Sequence, residues 1–392
     1  MSASDKNQPT QGSIFYDQGF RSIVYQILLA VGLGYVGWAL FSNVIENLDR
    51  QGIATGWSFL WTSSGFDIGE SVIEYDAGDT YGRALLVGFL NTVRVAFLGI
   101  IFATILGVFM GVARVSRNWL LSTISSWFVE IGRNVPVVLH VIFWGTVIHL
   151  LPQPREAMVP FEGAFIMNRG FVMPFPVYDD AYPWVGLGLI VGIAGVVFLN
   201  KWAQAKRERT GQYIHTLWPG LGIFFGCPLV VWLAFGAPLV WDVPALKGFN
   251  FQGGLQLSPE FIALLVGITV YTASFIAEIV RSGIQSVPSG QVEAAGAVGL
   301  RQGFIMRYVV IPQALRVIVP PTASQYLSLT KNSSLGVLIG YPDLVNIGNT
   351  TLNQTGQAVE AITIMMLVYL GISIVISLFM NFYNRIVAIK ER

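Results

Sequence analysis

Residues 287–315 read VPSGQVEAAGAVGLRQGFIMRYVVIPQAL, a polar, glycine-punctuated stretch between two long apolar segments. Pro288 and Gly290 end the preceding structure, the run QVEAAGAV holds helix formers in its middle, and Gly299 stands where that short helix should stop. A second helix is expected from about Gln302, limited by Pro312. The pattern predicts a compact helix-turn-helix knob, with Glu293 exposed at one end and Arg301, Arg307 and Arg316 available for polar contacts or lipid headgroups. Such a knob, in an otherwise apolar chain, is where a soluble partner can hold it.

The surroundings are membrane. Of 392 residues, 54% are hydrophobic and only 11% charged, and the mean hydropathy of +0.61 is too high for a chain that keeps its surface in water. A hydrocarbon core needs about 20 apolar residues per helix. About eight segments reach that length: 22–45, 84–113, 120–150, 184–201, 217–240, 260–281, 317–340 and 361–385, the third and seventh carrying polar or proline interruptions. The fold class is therefore an all-α polytopic membrane protein. The first 20 residues are polar, and the first apolar run leads into Asn43, Glu46 and Asn47 rather than small cleavage-site residues, so that helix is expected to stay.

Lysine and arginine set the orientation. An even helix count puts both termini on one side. If that side is the cytoplasm, it holds Lys6, Arg21, Arg114, Arg117, Lys201, Lys206, Arg207, Arg209, Arg281, Arg301, Arg307, Arg316, Arg385, Lys390 and Arg392, whereas only Arg50, Arg83, Arg155, Arg169 and Lys247 fall outside. The bias makes 287–315 cytoplasmic and the loops near 46–83, 151–183 and 241–259 external. The acidic group Asp67, Glu70, Glu74, Asp76 and Asp79 then lies outside, where it reads either as a cation or protein contact or as a solvated face.

At Glu293-Ala294-Ala295, three residues, Gly299, nine residues, then Val309, Val310, Ile311 and Pro312, the chain resembles the EAA loop of ABC importer permeases. The family prefers Ile and Leu where Val309 and Ile311 stand, swaps that keep apolar bulk. The segments 88–118, 129–144, 271–291 and 329–344 are similar to the polar amino-acid, HisMQ-like, branch, and the eight-helix layout to the Q-type permeases of general L-amino acid systems. The resemblance implies a type I importer fold with five core helices (the second, third, sixth, seventh and eighth), the first being an addition and the fourth and fifth an inserted hairpin. It divides the chain into 1–83 (cytoplasmic N-terminus, first helix, external loop), 84–150 (core helices two and three), 151–259 (external loop and hairpin) and 260–392 (core helices six to eight with the coupling loop). It further implies a bacterial inner-membrane location and docking of Glu293, Ala294, Ala295, Gly299, Val309, Ile311 and Pro312 into one of two separate ATPase subunits that hold ATP and Mg. The remaining implied partners are a homologous second permease, favouring a heterodimer, an external solute-binding protein and an L-amino acid substrate.

Charged groups inside spans cost roughly 2.5–3.5 kcal/mol each on the insertion scale, so each needs a reason. Arg94, Arg133, Glu278 and Lys331 lie within or near the ends of the core helices. An amino acid carries a carboxylate and an ammonium, so Arg94, Glu278 and Lys331, with Asn332, Ser333 and Ser334 beside them, are candidates for the substrate pathway. The plainer alternatives are, for Glu278, a structural ion pair, with Lys331 as a candidate partner, or a headgroup contact near the cytoplasmic end of the sixth helix, and, for Arg133, snorkelling. Pro320-Pro321 is expected to interrupt or kink the start of the seventh helix.

Other patterns carry less. Gly32 to Gly37 matches G-x-G-x-x-G inside an apolar helix with no preceding strand, so it does not point to a dinucleotide. Gly107 with Gly111 and Gly188 with Gly192 read as close helix packing. The sequence has no G-x-x-x-x-G-K-[ST], so the chain is expected to bind no ATP of its own and to be no enzyme. His140, His149 and His215 lack metal-ligand spacing, and Cys227 is the single cysteine. The net charge of +1 gives no footprint for nucleic acid. A secondary amino-acid transporter would show duplicated halves, and a membrane enzyme a catalytic constellation; neither is legible.

Overall fold

A computed structural model describes residues 18–50, 52, 55–212 and 214–387; Lys6, Lys390 and Arg392 lie outside them. The helices are α1 (Gln18–Arg50), α2 (Tyr81–Arg114), α3 (Trp119–Asn134), α4 (Val137–His149), α5 (Tyr182–Thr210), α6 (Leu217–Ala234), α7 (Pro259–Gln285), α8 (Ser289–Ala297), α9 (Gln302–Ile305), α10 (Ile311–Asn332), α11 (Leu344–Thr355) and α12 (Ala358–Val387). Seven helices are long and apolar enough to cross a membrane, or eight if the bent pair α3 and α4 is one span.

That pair lies where a single third span is expected, and it is bent rather than straight. The two helices meet at 108°. Pro136 offers no N–H and disfavours helical geometry in the residue before it, and Val135 is accordingly extended at φ −94°, ψ 129°. The seventh span is corrected in the opposite sense. Pro312 does not end a helix and Pro320-Pro321 does not interrupt one: the helical run extends from Gln302 to Ile339. A π-helical turn at Met306–Val310 precedes Pro312, which sits in the first turn of α10 where an N–H is dispensable. The Gln313 side chain donates to the Val309 carbonyl at 2.9 Å, serving an acceptor of that turn.

The chain forms two compact units. One comprises 1–91 and 342–374. Its core gathers Ala84 and Leu85 of α2 with Leu344 and Ile347 of α11 and Met365 of α12. Buried Asn91 donates to the carbonyls of Glu70 (2.8 Å) and Pro342 (2.9 Å), and Tyr81 donates to Gln354 Oε1 at 2.8 Å. The acidic loop folds on itself: Asp76 accepts from the Gly78 N–H at 2.7 Å, and Arg83 pairs with Asp79 at 3.3 Å while donating to the Glu74 carbonyl.

The other unit comprises 92–341 and 375–392, and α7 is its axis. Ser258 caps α7 by accepting from the Phe261 N–H at 3.0 Å, with Pro259 and Glu260 in the first turn. Thirteen α7 residues, from Phe261 to Gly283, are buried. Small residues let neighbours approach: a Cβ on Gly111 of α2 would lie 2.6 Å from the Ala277 carbonyl oxygen, and one on Gly132 of α3 would lie 2.6 Å from Ser274 Cβ. The expected close packing at Gly107 and Gly111 therefore falls on α7, and that at Gly188 and Gly192 lies between α5 and α6.

Short strands, not foreseen from the sequence, occupy the segments flanking α5 and α6. They are β1 (Phe165–Met167), β2 (Gly170–Met173), β3 (Phe175–Pro176), β4 (Trp241–Asp242), β5 (Ala245–Lys247), β6 (Asn250–Gln252) and β7 (Leu255–Leu257). They pair antiparallel as β1-β2-β7, β3-β4 and β5-β6. Because β3 pairs with β4, the two ends of the α5/α6 hairpin are tied at one place, as an insertion requires.

Candidate functional site

The knob between α7 and α10 takes its form from local capping. Helix α8 ends in a Schellman turn: the Leu300 N–H donates to the Ala295 carbonyl at 3.2 Å and the Gly299 N–H to Gly296 at 2.9 Å, with Gly299 at φ +86°. Arg301 is extended, and the chain then re-enters helix at Gln302. Ala295, Ile305 and Val310 close a small core, with Ile284, Val287, Val292 and Val309 packed on it.

The EAA positions divide by face. Ala295 points inward, whereas Glu293, Ala294 and Gly299 are exposed; Val309 and Pro312 are half-buried and Ile311 is 43% exposed. The sequence reading missed Ile305 and Val310, which close the core. Their apolar character was visible, but which of several neighbouring apolar residues faces inward depends on the π turn. The tip presents Val298 at 83% exposure, beside Leu300, Phe304 and Tyr308, all exposed. Exposed apolar side chains clustered about a rigid turn suit burial against a partner.

The proposed pathway residues separate into two levels. Glu278, near the C-terminal end of α7, is joined by Arg114 of α2, by Arg281 at 2.5 Å and by Arg133 of α3 at 3.9 Å. Arg114 also reaches Glu130 at 3.4 Å. Lys331 is at the opposite end of the antiparallel α10, near Leu329, which lies beside Ile268 around Gly99. Glu278 is about ten residues, or ~15 Å, further along α7. The suggested Lys331–Glu278 pair therefore does not form, because the knob makes α7 and α10 antiparallel and sends the two charges to opposite ends. Arg94 is on Lys331's level, with its guanidinium 4.2 Å from the Phe261 ring centre.

Lys331 is exposed and Asn332 half-buried. The Ser333 hydroxyl, fully buried, donates to the Thr330 carbonyl, and Ser334 donates to the Lys331 carbonyl, each at 2.7 Å. Both hydroxyls thus serve carbonyls where α10 passes into a 3-10 turn over Ser333–Ile339.

Glu278 ties the ends of α2, α3 and α7, and its removal should loosen all three. Glu278→Ala leaves Arg114, Arg133 and Arg281 without their shared carboxylate; with partial solvent screening, a loss of about 2 kcal/mol is expected. The measurement is the melting temperature in detergent, with partial recovery in Glu278→Asp. An unchanged transition would show that these pairs contribute nothing.

A helical membrane chain with a self-packed knob between two of its spans has the form of a transport subunit. The chain belongs to the family of inner-membrane components of binding-protein-dependent transport systems, whose pattern matches residues 209–391, and relatives at 48% identity span nearly all of it. One is the general L-amino acid transport system permease protein AapQ of Rhizobium johnstonii, 48% identical over 97% of this chain and 95% of that one. The putative amino-acid ABC transporter permease protein YhdX of Escherichia coli is 48% identical over 99% and 100%. The glutamate/glutamine/aspartate/asparagine transport system permease protein BztB of Rhodobacter capsulatus is 42% identical over 97% and 96%.

Proposed function

We infer that this chain is the permease subunit of an ATP-driven importer of L-amino acids, working with an external binding protein and two separate ATPase subunits. The observation that carries this reading is the knob: a self-packed element with an exposed apolar tip around Gly299, in a chain that resembles amino-acid permeases along its whole length. Glu293, Ala294, Gly299 and Ile311 form the face offered to an ATPase subunit, while Ala295, Val309 and Pro312 hold that face in shape. ATP and Mg bind in the ATPase subunits and none in this chain. Closure of those subunits is transmitted through the knob to α7 and α10, and the permease pair opens outward. A second, homologous permease completes the pair, and both termini lie in the cytoplasm of a bacterial inner membrane. Arg94, Glu278 and Lys331, with Asn332, Ser333 and Ser334, flank the route, Glu278 near its cytoplasmic end and the others near its external end.

Reconstitution in liposomes with the candidate partners tests this. Liganded binding protein should stimulate ATP hydrolysis and drive uptake of labelled L-amino acid, and Lys331→Ala should lower both. Uptake that ignores ATP would overturn the importer reading. Wild-type rates in Lys331→Ala would remove Lys331 from the route.

A further inference from the structure

Two of the external basic residues, Arg155 and Arg169, share a cavity that the transport reading leaves unexplained. Arg50 pairs with Glu46 and Arg83 with Asp79, but among the described residues no carboxylate pairs with Arg155 or Arg169. Both line one cavity of about 300 Å³ at the end of α7 opposite the knob, together with Gln153, Pro154, Asn168 and Phe249. Three loop tips build it. The 3-10 turn Pro154–Glu156 brings Arg155, the β1–β2 turn brings Asn168 and Arg169, and the β5–β6 turn brings Phe249. The Asn168 N–H donates to the Pro152 carbonyl at 2.9 Å, locking the first two together, and the Arg155 guanidinium lies 5.2 Å from the Phe249 ring centre.

We propose that this cavity is a binding site for a free α-amino acid, separate from the route through the spans. Guanidiniums are the side chains best matched to a carboxylate, two of them line this cavity, and no acidic residue lines its wall to compete. The carboxamide residues Gln153 and Asn168 also line the wall, and a carboxamide oxygen is an acceptor of the kind an α-ammonium needs. The volume admits a molecule of amino-acid size and is too small for a helix or loop of a protein partner. The site would hold substrate at the external face before or beside its delivery by the binding protein.

The experiment uses the full chain in lipid nanodiscs, without binding protein, and tritiated L-glutamine as the probe. Saturable binding is expected, weakened about tenfold in the Arg155→Gln/Arg169→Gln double variant, whose changes lie on exposed loop tips. L-Glutaminamide, lacking the carboxylate, should fail to compete, and N-acetyl-L-glutamine, lacking the ammonium, should compete poorly. No saturable binding at millimolar probe, or equal binding by the double variant, would overturn the proposal. So would a double variant that lowers only binding-protein-stimulated ATP hydrolysis, which would make the arginines a docking surface for an acidic protein. ATP-driven uptake is read separately, so a chain that imports but lacks arginine-dependent binding sinks this site alone.

Discussion

Gly299→Arg is expected to abolish co-purification of the ATPase subunits while leaving the amount of the chain in the membrane unchanged. Gly299 adopts φ +86°, a left-handed conformation that costs a residue with a side chain about 1–2 kcal/mol. Yet a Cβ there would have nothing within 4 Å, so the damage cannot come from overpacking. It comes from placing bulk and charge at the centre of the exposed tip, between Val298 and Leu300. The knob's own core of Ala295, Ile305 and Val310 is not touched, so the element should still fold. Gly299→Asn separates the two effects, because asparagine tolerates the left-handed region and adds little volume. It should retain most ATPase association, with Gly299→Ala in between. A protein carrying Gly299→Arg that still brings down the ATPase in normal yield would show that the tip is not the contact.

The knob was legible because its signals are local. A helix-favouring run, a glycine placed to stop it and a second helical run from about Gln302 are each read within a few residues, and α8, Gly299 and α9 follow. The spans were legible for the same kind of reason: hydrophobic length needs no tertiary information. Prolines were harder to read. Pro136 breaks its helix and Pro312 does not, although each looks like a stop, because only the second is preceded by a π turn and followed by Gln313 serving the Val309 carbonyl. Strands of two to four residues, such as β2 and β4, are too short for a period-two pattern to emerge from a proline- and glycine-rich loop. The charges were legible as costly but not as partners. Glu278 meets Arg114, which is far away in sequence, and the antiparallel run of α7 and α10 is what denies it Lys331.

Asp343→Asn is expected to stabilise the first unit at pH 8 and to remove most of its pH dependence. Asp343 is fully buried at the start of α11, where its carboxylate caps the helix by accepting from the Asn346 N–H at 2.8 Å. Burial pushes its pKa up to about 7, against the opposing pull of the Asn346 and Val345 N–H groups and the Tyr369 hydroxyl. In the unfolded chain the group ionises near 3.8. Below that value both states hold the proton and the full stability is present. Between about 4 and 7 the unfolded chain releases its proton and the folded one does not, so stability falls as pH rises and levels off once the folded group has ionised. At 1.36 kcal/mol per unit, the total reaches as much as about 4 kcal/mol. This is opposite to the usual behaviour of a paired carboxylate, and it makes the unit firmer at pH 5 than at pH 8. Asparagine keeps an oxygen for the cap but carries no charge at either pH. Hydrogen exchange of the α11 amides reads the effect locally: protection should drop from pH 5 to pH 8 in the native chain, after correction for intrinsic exchange, and stay level in Asp343→Asn. A native chain whose corrected protection is flat or rises across that interval would mean that Asp343 is charged while folded, and that its cap, rather than its burial, sets its state.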